Sequence, residues 1–142
     1  MDDPHQLERF VEAQTPVFDT VLDELRSGRK RSHWMWFVFP QLRGLGRTPT
    51  AEYYGIATRD EASAYLEHDV LGPRLRQCAR LVAQSSAVSA EALMGQVDAL
   101  KLWSSMTLFA EVATDDGDFV AVLDKFYGGE RDAKTQAMLA GR

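Results

Sequence analysis

Helix start and stop signals recur along the whole sequence, and they restrict the chain to a fold of short helices. Thr15-Pro16 and Thr48-Pro49 each place a capping hydroxyl directly before a proline, which is well tolerated at the first helical position. Thr58 and Glu61 have the spacing of a capping box, in which two side chains satisfy each other's backbone donors. Gly28 follows an apolar stripe, where glycine commonly ends a helix. These signals predict an all-α fold.

Apolar residues between the signals recur at the spacing of one helical face and predict about eight to ten short helices. A chain of 142 residues is a usual size for one domain with its own core, so we expect a compact multihelical single domain over residues 1–142. The predicted helices begin at or near Pro4, Thr15, Trp34, Thr48, Thr58, Leu75, Ser89, Asp98, Asp118 and Asp132. The run Leu71-Gly72-Pro73 is expected to break the helix before it.

The unbroken apolar run from Trp34 to Phe39 fits either a buried strand or a short buried helix. Its aromatic content favours a strand. A strand needs a partner, however, and the sequence contains no other strand-like run. We therefore predict a helix, with Ser32 as its cap and Pro40 at its end.

The charge distribution indicates a local preference for anions. The formal net charge is −5, which argues against nucleic acid as a partner. No acidic residue lies between Glu24 and Glu52, and that window holds Arg26, Arg29, Lys30, Arg31, Arg43 and Arg47. Acidic residues instead gather after Glu111. Such asymmetry produces a field that attracts anions to one region of the molecule.

Most familiar catalytic and cofactor motifs are missing from the sequence. Gly44-Leu-Gly46 begins a dinucleotide fingerprint, but Pro49 stands where its third glycine would be. There is no phosphate-binding P-loop, no paired histidine motif for zinc and no G-x-S-x-G nucleophile elbow. Cys78 is the only cysteine, which excludes an internal disulfide and a cysteine-based zinc site. We therefore predict no cofactor and no metal. No apolar run suits a membrane helix, and we expect a cytoplasmic protein.

The residues around the aromatic run form the first candidate site. A helix starting after Ser32 would point backbone N–H groups at an anion, with Lys30 and Arg31 beside it. The loop after Pro40 would bring Gln41 and Arg43 back over the same place. Trp34 and Trp36 point to opposite sides of a helix, so one is expected in the core while the other offers a flat face to a ligand, and Trp34 is the ligand-binding candidate. The competing interpretation is a solvated charged rim around core aromatics.

A second candidate lies in the segment VDALKLWSSMTLF. At helical spacing Lys101 and Ser105 share a face, as do Ser104 and Thr107. One interpretation is a pocket wall in which Lys101 and Ser105 face a ligand. The alternative is that the hydroxyl groups bond to carbonyls of their own helix, four residues earlier. Tyr54 and Glu61 are further polar candidates, although Glu61 is explained by the capping box.

The strings GRKRSHWMWFVFPQLRGLGRTPTAEYYGI, EASAYLEHDVLGPRL and DALKLWSSMTLF resemble a known family. It is the domain of unknown function numbered 1810, found in bacteria and fungi and sometimes mislabelled calpastatin. The likeness covers about residues 5–128. It implies a mainly α-helical fold and no established reaction, substrate or cofactor. The family's polar motif positions match here at Lys30, Arg31, His33, Gln41, Arg43, Lys101 and Ser105.

The leading hypothesis from the sequence is a protein that binds an anionic, phosphate-bearing small molecule in a basic, tryptophan-lined pocket. Whether it is an enzyme stays open; His33 is the candidate acid/base, because an imidazole titrates near neutral pH. The alternative is an interaction module that docks an acidic protein or a nucleic-acid backbone through residues 26–47. A third hypothesis is self-association, in which the acidic segment after Glu111 meets the basic window of a second copy.

Overall fold

The computed structural model describes residues 2–142, and within that range the regular structure is helical apart from one isolated bridge between Leu42 and Ile56. The all-α prediction is confirmed. The α-helices are α1 (Glu8–Gln14), α2 (Phe18–Ser27), α3 (Met35–Val38), α4 (Pro49–Tyr53), α5 (Arg59–Glu67), α6 (Leu71–Ala83), α7 (Ala90–Met94), α8 (Gln96–Val112), α9 (Gly117–Tyr127) and α10 (Ala133–Ala140). A 3-10 turn, Thr15–Val17, joins α1 to α2.

The long helix α8 lies at the centre of the fold. It contacts α5, α7, α9 and α10. Leu102, Met106 and Phe109 of α8 are fully buried, because their spacing of three and four residues places them on one face. They belong to one continuous core that also takes Trp34 and Phe39 from the aromatic run. The predicted helix in that run is therefore confirmed, as the single turn α3 against the core.

Several predicted helix starts are confirmed by their capping hydrogen bonds. The hydroxyl group of Thr48 accepts from the N–H of Ala51, and that of Thr58 accepts from Glu61. Each cap satisfies a backbone donor that has no partner inside its helix. At the other end of α2, Gly28 adopts the left-handed conformation with φ 79°, as expected of a glycine stop.

Four predicted caps are wrong. Thr15 lies inside the 3-10 turn, and its hydroxyl group donates to the carbonyl oxygen of Val11 in α1. The hydroxyl group of Ser32 donates to Glu24 instead, and α3 begins only after Trp34. Asp98 lies inside the first turn of α8 and Asp118 inside the first turn of α9. Both carboxylates form ion pairs with other segments of the chain. A charged partner outweighs a capping bond, and the sequence nearby gives no sign of that partner.

The run Leu71-Gly72-Pro73 begins a helix, and does not lie in a loop. It forms the first turn of α6, where a proline is tolerated because its missing N–H would be unpaired anyway. A side-chain carbon on Gly72 would lie 2.1 Å from the carbonyl oxygen of Leu66, so only glycine fits there. This close contact fixes the tight turn between α5 and α6.

Candidate ligand-binding cleft

The donors before α3 already hold an anion, and it is the protein's own Glu24. Its Oε1 accepts from the backbone N–H groups of Arg31 at 2.7 Å and Ser32 at 3.1 Å, and from the indole Nε1 of Trp34 at 2.9 Å. Its Oε2 accepts from the hydroxyl group of Ser32 at 2.6 Å. An external anion would have to displace this carboxylate. The N–H groups before α3, where the sequence predicted an external anion, are therefore already occupied by a carboxylate of the protein.

The ionised form of Glu24 is strongly favoured. Burial of the carboxylate opposes ionisation, but the hydrogen bonds from Ser32, Arg31 and Trp34 outweigh it and lower the pKa of Glu24 to about 2. The carboxylate thus stays charged at neutral pH and holds the segment between α2 and α3 in place.

Lys30 is turned inward and bound within the protein. Its side chain is only 7% exposed, and its Nζ lies 2.9 Å from Oδ2 of Asp98. The same ammonium group donates to the carbonyl oxygen of Ser32 and lies 5.1 Å from the centre of the Trp34 ring. Lys30 therefore joins the segment before α3 to the first turn of α8.

Asp98 is shared between two lysines. While Oδ2 pairs with Lys30, Oδ1 lies 3.8 Å from Nζ of Lys101, a longer and weaker contact. The Lys101 ammonium group also lies 5.1 Å from the centre of the Trp36 ring. One carboxylate facing two ammonium groups leaves a net positive charge, and the more loosely held of the two is Lys101.

Lys101 and Gln41 stand where two cavities meet. The inner cavity has a volume of about 10 Å³, enough for roughly one water molecule, and Trp36 and Tyr54 help to line it. The outer cavity is an open groove of about 330 Å³ beside α8. We call the two together the Gln41–Lys101 cleft. Its remaining lining residues are Met35, Phe39, Leu45, Gly46, Ala51, Gly55, Val97, Leu100, Trp103, Ser104, Asp132 and Lys134.

The loop that carries Gln41 is held close to α4. A side-chain carbon on Gly46 would lie 2.6 Å from Cβ of Ala51 and 3.2 Å from Nε2 of Gln41, so glycine is required for this packing. The backbone carbonyl of Gln41 accepts from the N–H of Ile56 at 2.9 Å. These contacts fix the backbone of Gln41 at the mouth of the cleft.

Six of the eight predicted site residues line neither cavity, namely Lys30, Arg31, His33, Trp34, Arg43 and Ser105. Arg43 donates to the carbonyl oxygens of Glu52 at 2.9 Å and Gly55 at 3.1 Å, near the carboxyl end of α4. Arg31 and His33 are exposed and line neither cavity. The structure thus brings together Gln41 and Lys101, with Lys30 and Trp34 directly behind them. Any ligand-binding or catalytic role of the others stays a prediction.

Two of the hydroxyl groups of α8 bond within their own helix, which was the alternative to a role in a pocket wall. Those of Ser104 and Thr107 donate to carbonyl oxygens four residues earlier. Ser104 also donates to Asp132, and Thr107 accepts from the N–H of Asp132. Ser105 is fully buried, and its hydroxyl group has no hydrogen-bond partner within residues 2–142. It does not line the cleft, so its binding role also stays a prediction.

Comparison with known proteins agrees with the resemblance noted in the sequence. Residues 4–139 match the family described as "Protein of unknown function (DUF1810)". The chain belongs to the DUF1810 family. It is similar to the crystal structure of the conserved hypothetical protein Rv1873 from Mycobacterium tuberculosis, with 59% sequence identity and a TM-score of 0.95. That likeness covers 97% of this chain and 99% of the other. A search of curated proteins gives no match.

Part of the cleft of this DUF1810 chain was missed in the sequence. Val97, Leu100 and Lys134 line the groove but were not singled out as site residues, and the pairing of Asp98 with Lys30 was not foreseen. One signal was available, because Val97 and Leu100 are three residues apart and lie opposite the apolar face that enters the core. A helix with apolar residues on two faces indicates a second buried or ligand-covered surface.

The donor set of this family member gives no support to a metal site. Within residues 2–142 no three His, Cys, Asp or Glu side chains are grouped so that they could hold an ion. No helix in the same range is long and apolar enough to cross a bilayer. Cys78 is buried, and burial raises the pKa of its thiol to about 12, which makes it a poor nucleophile.

Proposed function

We propose that this DUF1810 protein binds a small anionic molecule in the Gln41–Lys101 cleft, with the Lys101 ammonium group as its charged contact. The observation that carries the proposal is the sharing of Asp98. Because Lys30 lies 2.9 Å from that carboxylate and Lys101 lies 3.8 Å from it, the charge of Lys101 is only partly compensated. Lys101 also faces both cavities, where an anion has access to it.

Gln41 and Trp36 would orient the bound molecule. Within the described residues the side-chain amide of Gln41 makes no hydrogen bond, so its donor and acceptor are free for a ligand at the junction of the cavities. Trp36 presents a ring beside the Lys101 ammonium group. Lys30 has a supporting role in this scheme, because it holds Asp98 and thereby leaves Lys101 available.

A thermal-shift screen with inorganic phosphate, sugar phosphates, nucleotides and dicarboxylates tests this function. A ligand at ~100 times its dissociation constant adds about 2.7 kcal/mol to the free energy of unfolding, which raises the melting temperature by several degrees. We expect Lys101→Gln to abolish the shift. Lys125→Gln is the matched control, because Lys125 also lies over an aromatic ring, 5.5 Å from the centre of Phe126, but lines neither cavity. Equal shifts in both variants would contradict the proposal.

A second candidate function is docking of a polyanion through residues 26–47. Arg29, Arg31 and Arg47 are exposed, and none of them forms an ion pair in the described part of the chain. A backbone binder loses affinity steeply with salt, with a slope of about −0.9 per neutralised phosphate, whereas a partly buried site is screened less. Arg29→Gln together with Arg31→Gln would weaken polyanion binding and leave a Lys101-dependent ligand unaffected.

Self-association through the acidic segment receives less support. Glu111 and Asp116 pair with Arg131, and Asp118 pairs with Arg76 and Arg80. These carboxylates are therefore largely compensated within the chain. A cytoplasmic location remains part of the proposal, since a lone free thiol such as Cys78 suits a reducing compartment.

A further inference from the structure

We propose that the anion bound at Lys101 carries an apolar body, a short alkyl chain or a single ring, that lies in the groove beside α8. This inference rests on the proposed function and names its ligand class: an amphipathic anion. Lys101 contributes the charged contact, and Val97 and Leu100 contribute the apolar one. The three residues lie within five positions of one helix.

The apolar wall of the groove is unusually exposed. Val97 is 67% exposed and Leu100 is 63% exposed, one helical turn apart on α8. Leu45 and the partly buried Trp103 line the same groove. Scattered exposed apolar residues are ordinary on protein surfaces, and Val88, 93% exposed, is an example outside the cleft. Four apolar side chains around one groove, next to an ammonium group, instead form a contiguous patch of the kind that marks a binding surface.

Away from Gln41 and the two lysines, the polar groups of the groove are already bonded within the protein. The hydroxyl group of Ser104 donates to Asp132 at 2.7 Å, and the Asp132 carboxylate also accepts from Thr135 at 2.6 Å. The indole N–H of Trp103 donates to the carbonyl oxygen of Glu130 at 2.8 Å. A sugar or another polar body placed here would lose hydrogen bonds to water and find few new ones. An apolar body would lose none.

The sizes of the two cavities place the two parts of the ligand. The inner cavity of about 10 Å³ holds no more than a terminal atom or a water molecule. The groove of about 330 Å³ lies at the lower end of the range of small-molecule pockets, roughly 300–1,000 Å³. The charged head therefore lies at the junction beside Lys101 and Gln41. The body then extends along Leu100, and the other charged groups of the groove are Lys134 and the hydrogen-bonded carboxylate of Asp132.

Calorimetric titration with inorganic phosphate, methyl phosphate, hexyl phosphate and 1-hexanol tests the inference. These probes separate the charged head from the apolar body. A fully buried methylene group strengthens binding about fourfold, and an open groove retains part of that gain. We expect hexyl phosphate to bind at least about tenfold more tightly than methyl phosphate, and 1-hexanol to bind far more weakly than either phosphate ester.

Surface variants identify the residues responsible. Leu100→Ser and Val97→Ser should reduce the preference for hexyl phosphate to about twofold while leaving the affinity for methyl phosphate unchanged. Val88→Ser is the matched control and should keep the full preference. All three side chains are largely exposed, so unchanged melting temperatures are expected and will show that the fold is intact.

Different failures are distinguishable. If methyl and hexyl phosphate bind equally and both depend on Lys101, the inference is overturned while the proposed function stands. If neither these phosphates nor any anion of the thermal-shift screen binds, both proposals fail. If the protein forms a dimer at the titration concentration and Leu100→Ser makes it monomeric, the groove belongs to a second copy and the inference is overturned.

Discussion

Glu24 is the residue whose position most changes the interpretation of the basic segment. The backbone N–H groups of Arg31 and Ser32 converge on its carboxylate, which is also bonded to Trp34. Residues that look like an empty anion site in the sequence are therefore filled by an acidic residue from the preceding helix. In the proposed function the charge offered to a ligand lies instead on Lys101 of α8, which shares Asp98 with Lys30.

The low pKa of Glu24 makes a prediction about stability in acid. Its pKa is about 2 in the folded protein against an ordinary value of 4.5, so the unfolded chain binds the proton first as the pH falls. The ionised carboxylate therefore contributes roughly 2–3 kcal/mol above pH 4.5, and this contribution is lost as the pH falls toward 2. Urea unfolding measured from pH 7 to pH 2 should give Glu24→Gln a lower free energy of unfolding than wild type at pH 7. The difference between the two free energies should shrink as the pH falls from 4.5 to 2.

Glu12→Gln is the matched control, because Glu12 is exposed on α1 and forms no ion pair in the described part of the chain. It should follow the wild type at every pH. A constant difference between wild type and Glu24→Gln down to pH 2 would mean that the carboxylate does not act through its charge.

Arg9 is the second residue with a role that the sequence did not reveal. It is buried on α1, and all five of its guanidinium N–H bonds have acceptors. The acceptors are the carbonyl oxygens of His5, Gln6, Tyr53 and Gly55 and the carboxylate of Glu61. One side chain thus connects the N-terminal segment, the end of α4 and the first turn of α5.

Replacing Arg9 by Met should lower the free energy of unfolding by about 3–5 kcal/mol, because Glu61 would be left buried without its cation. The double variant Arg9→Met with Glu61→Gln should recover part of that loss, since no unpaired charge remains. Chemical denaturation of both variants checks this. A double variant no more stable than the single one would show that the carbonyl contacts, and not the ion pair, dominate.

At the level of elements, Asp132 makes the polar connection between α10 and α8, beside the packing of Leu139 into the core. Asp132 caps α10 through the N–H of Lys134 and bonds to Thr135 of the same helix. It also accepts from Ser104 of α8, and its own N–H donates to Thr107. Because α10 has only eight residues, it would be marginal as a helix without this connection.

Asp132→Ala should therefore release α10 while the rest of the fold persists. Hydrogen exchange should show amides of residues 133–140 losing protection, with the central turns of α8 unchanged. Asp124→Ala is the matched control, because Asp124 is exposed on α9 and should change nothing. Uniform loss of protection across the chain would contradict this prediction, because it would show that α10 unfolds only together with the rest of the protein.

The helix boundaries show which part of the fold can be predicted from sequence. Thr48, Thr58 and Ser89 cap as expected because a capping bond joins residues only three positions apart. Ser32 and Asp98 were misassigned because their actual partners, Glu24 and Lys30, lie eight and sixty-eight positions away. Short-range chemistry is visible in a sequence, whereas competition from distant charges appears only when the chain is folded.

The candidate site follows the same rule at the scale of the whole molecule. Gln41 and Lys101 were singled out in separate segments, and the fold brings both to one cleft. The sequence did not predict that Asp98 would pair with Lys30 or that Arg43 would bond to carbonyl oxygens at the end of α4. The density of basic residues in the sequence therefore indicated a region of the chain. Which of those cations are already paired within the protein is visible only in the folded structure.

The proposed function requires that Lys101 is the cation that contacts the ligand. Nuclear magnetic resonance of the lysine side-chain Nζ groups during a titration with methyl phosphate distinguishes Lys101 from the other lysines. We predict that the Lys101 resonance moves most and saturates with the ligand, while that of Lys125 stays in place. Equal movement of both, or changes confined to the backbone amides of Arg29 and Arg31, would contradict the account.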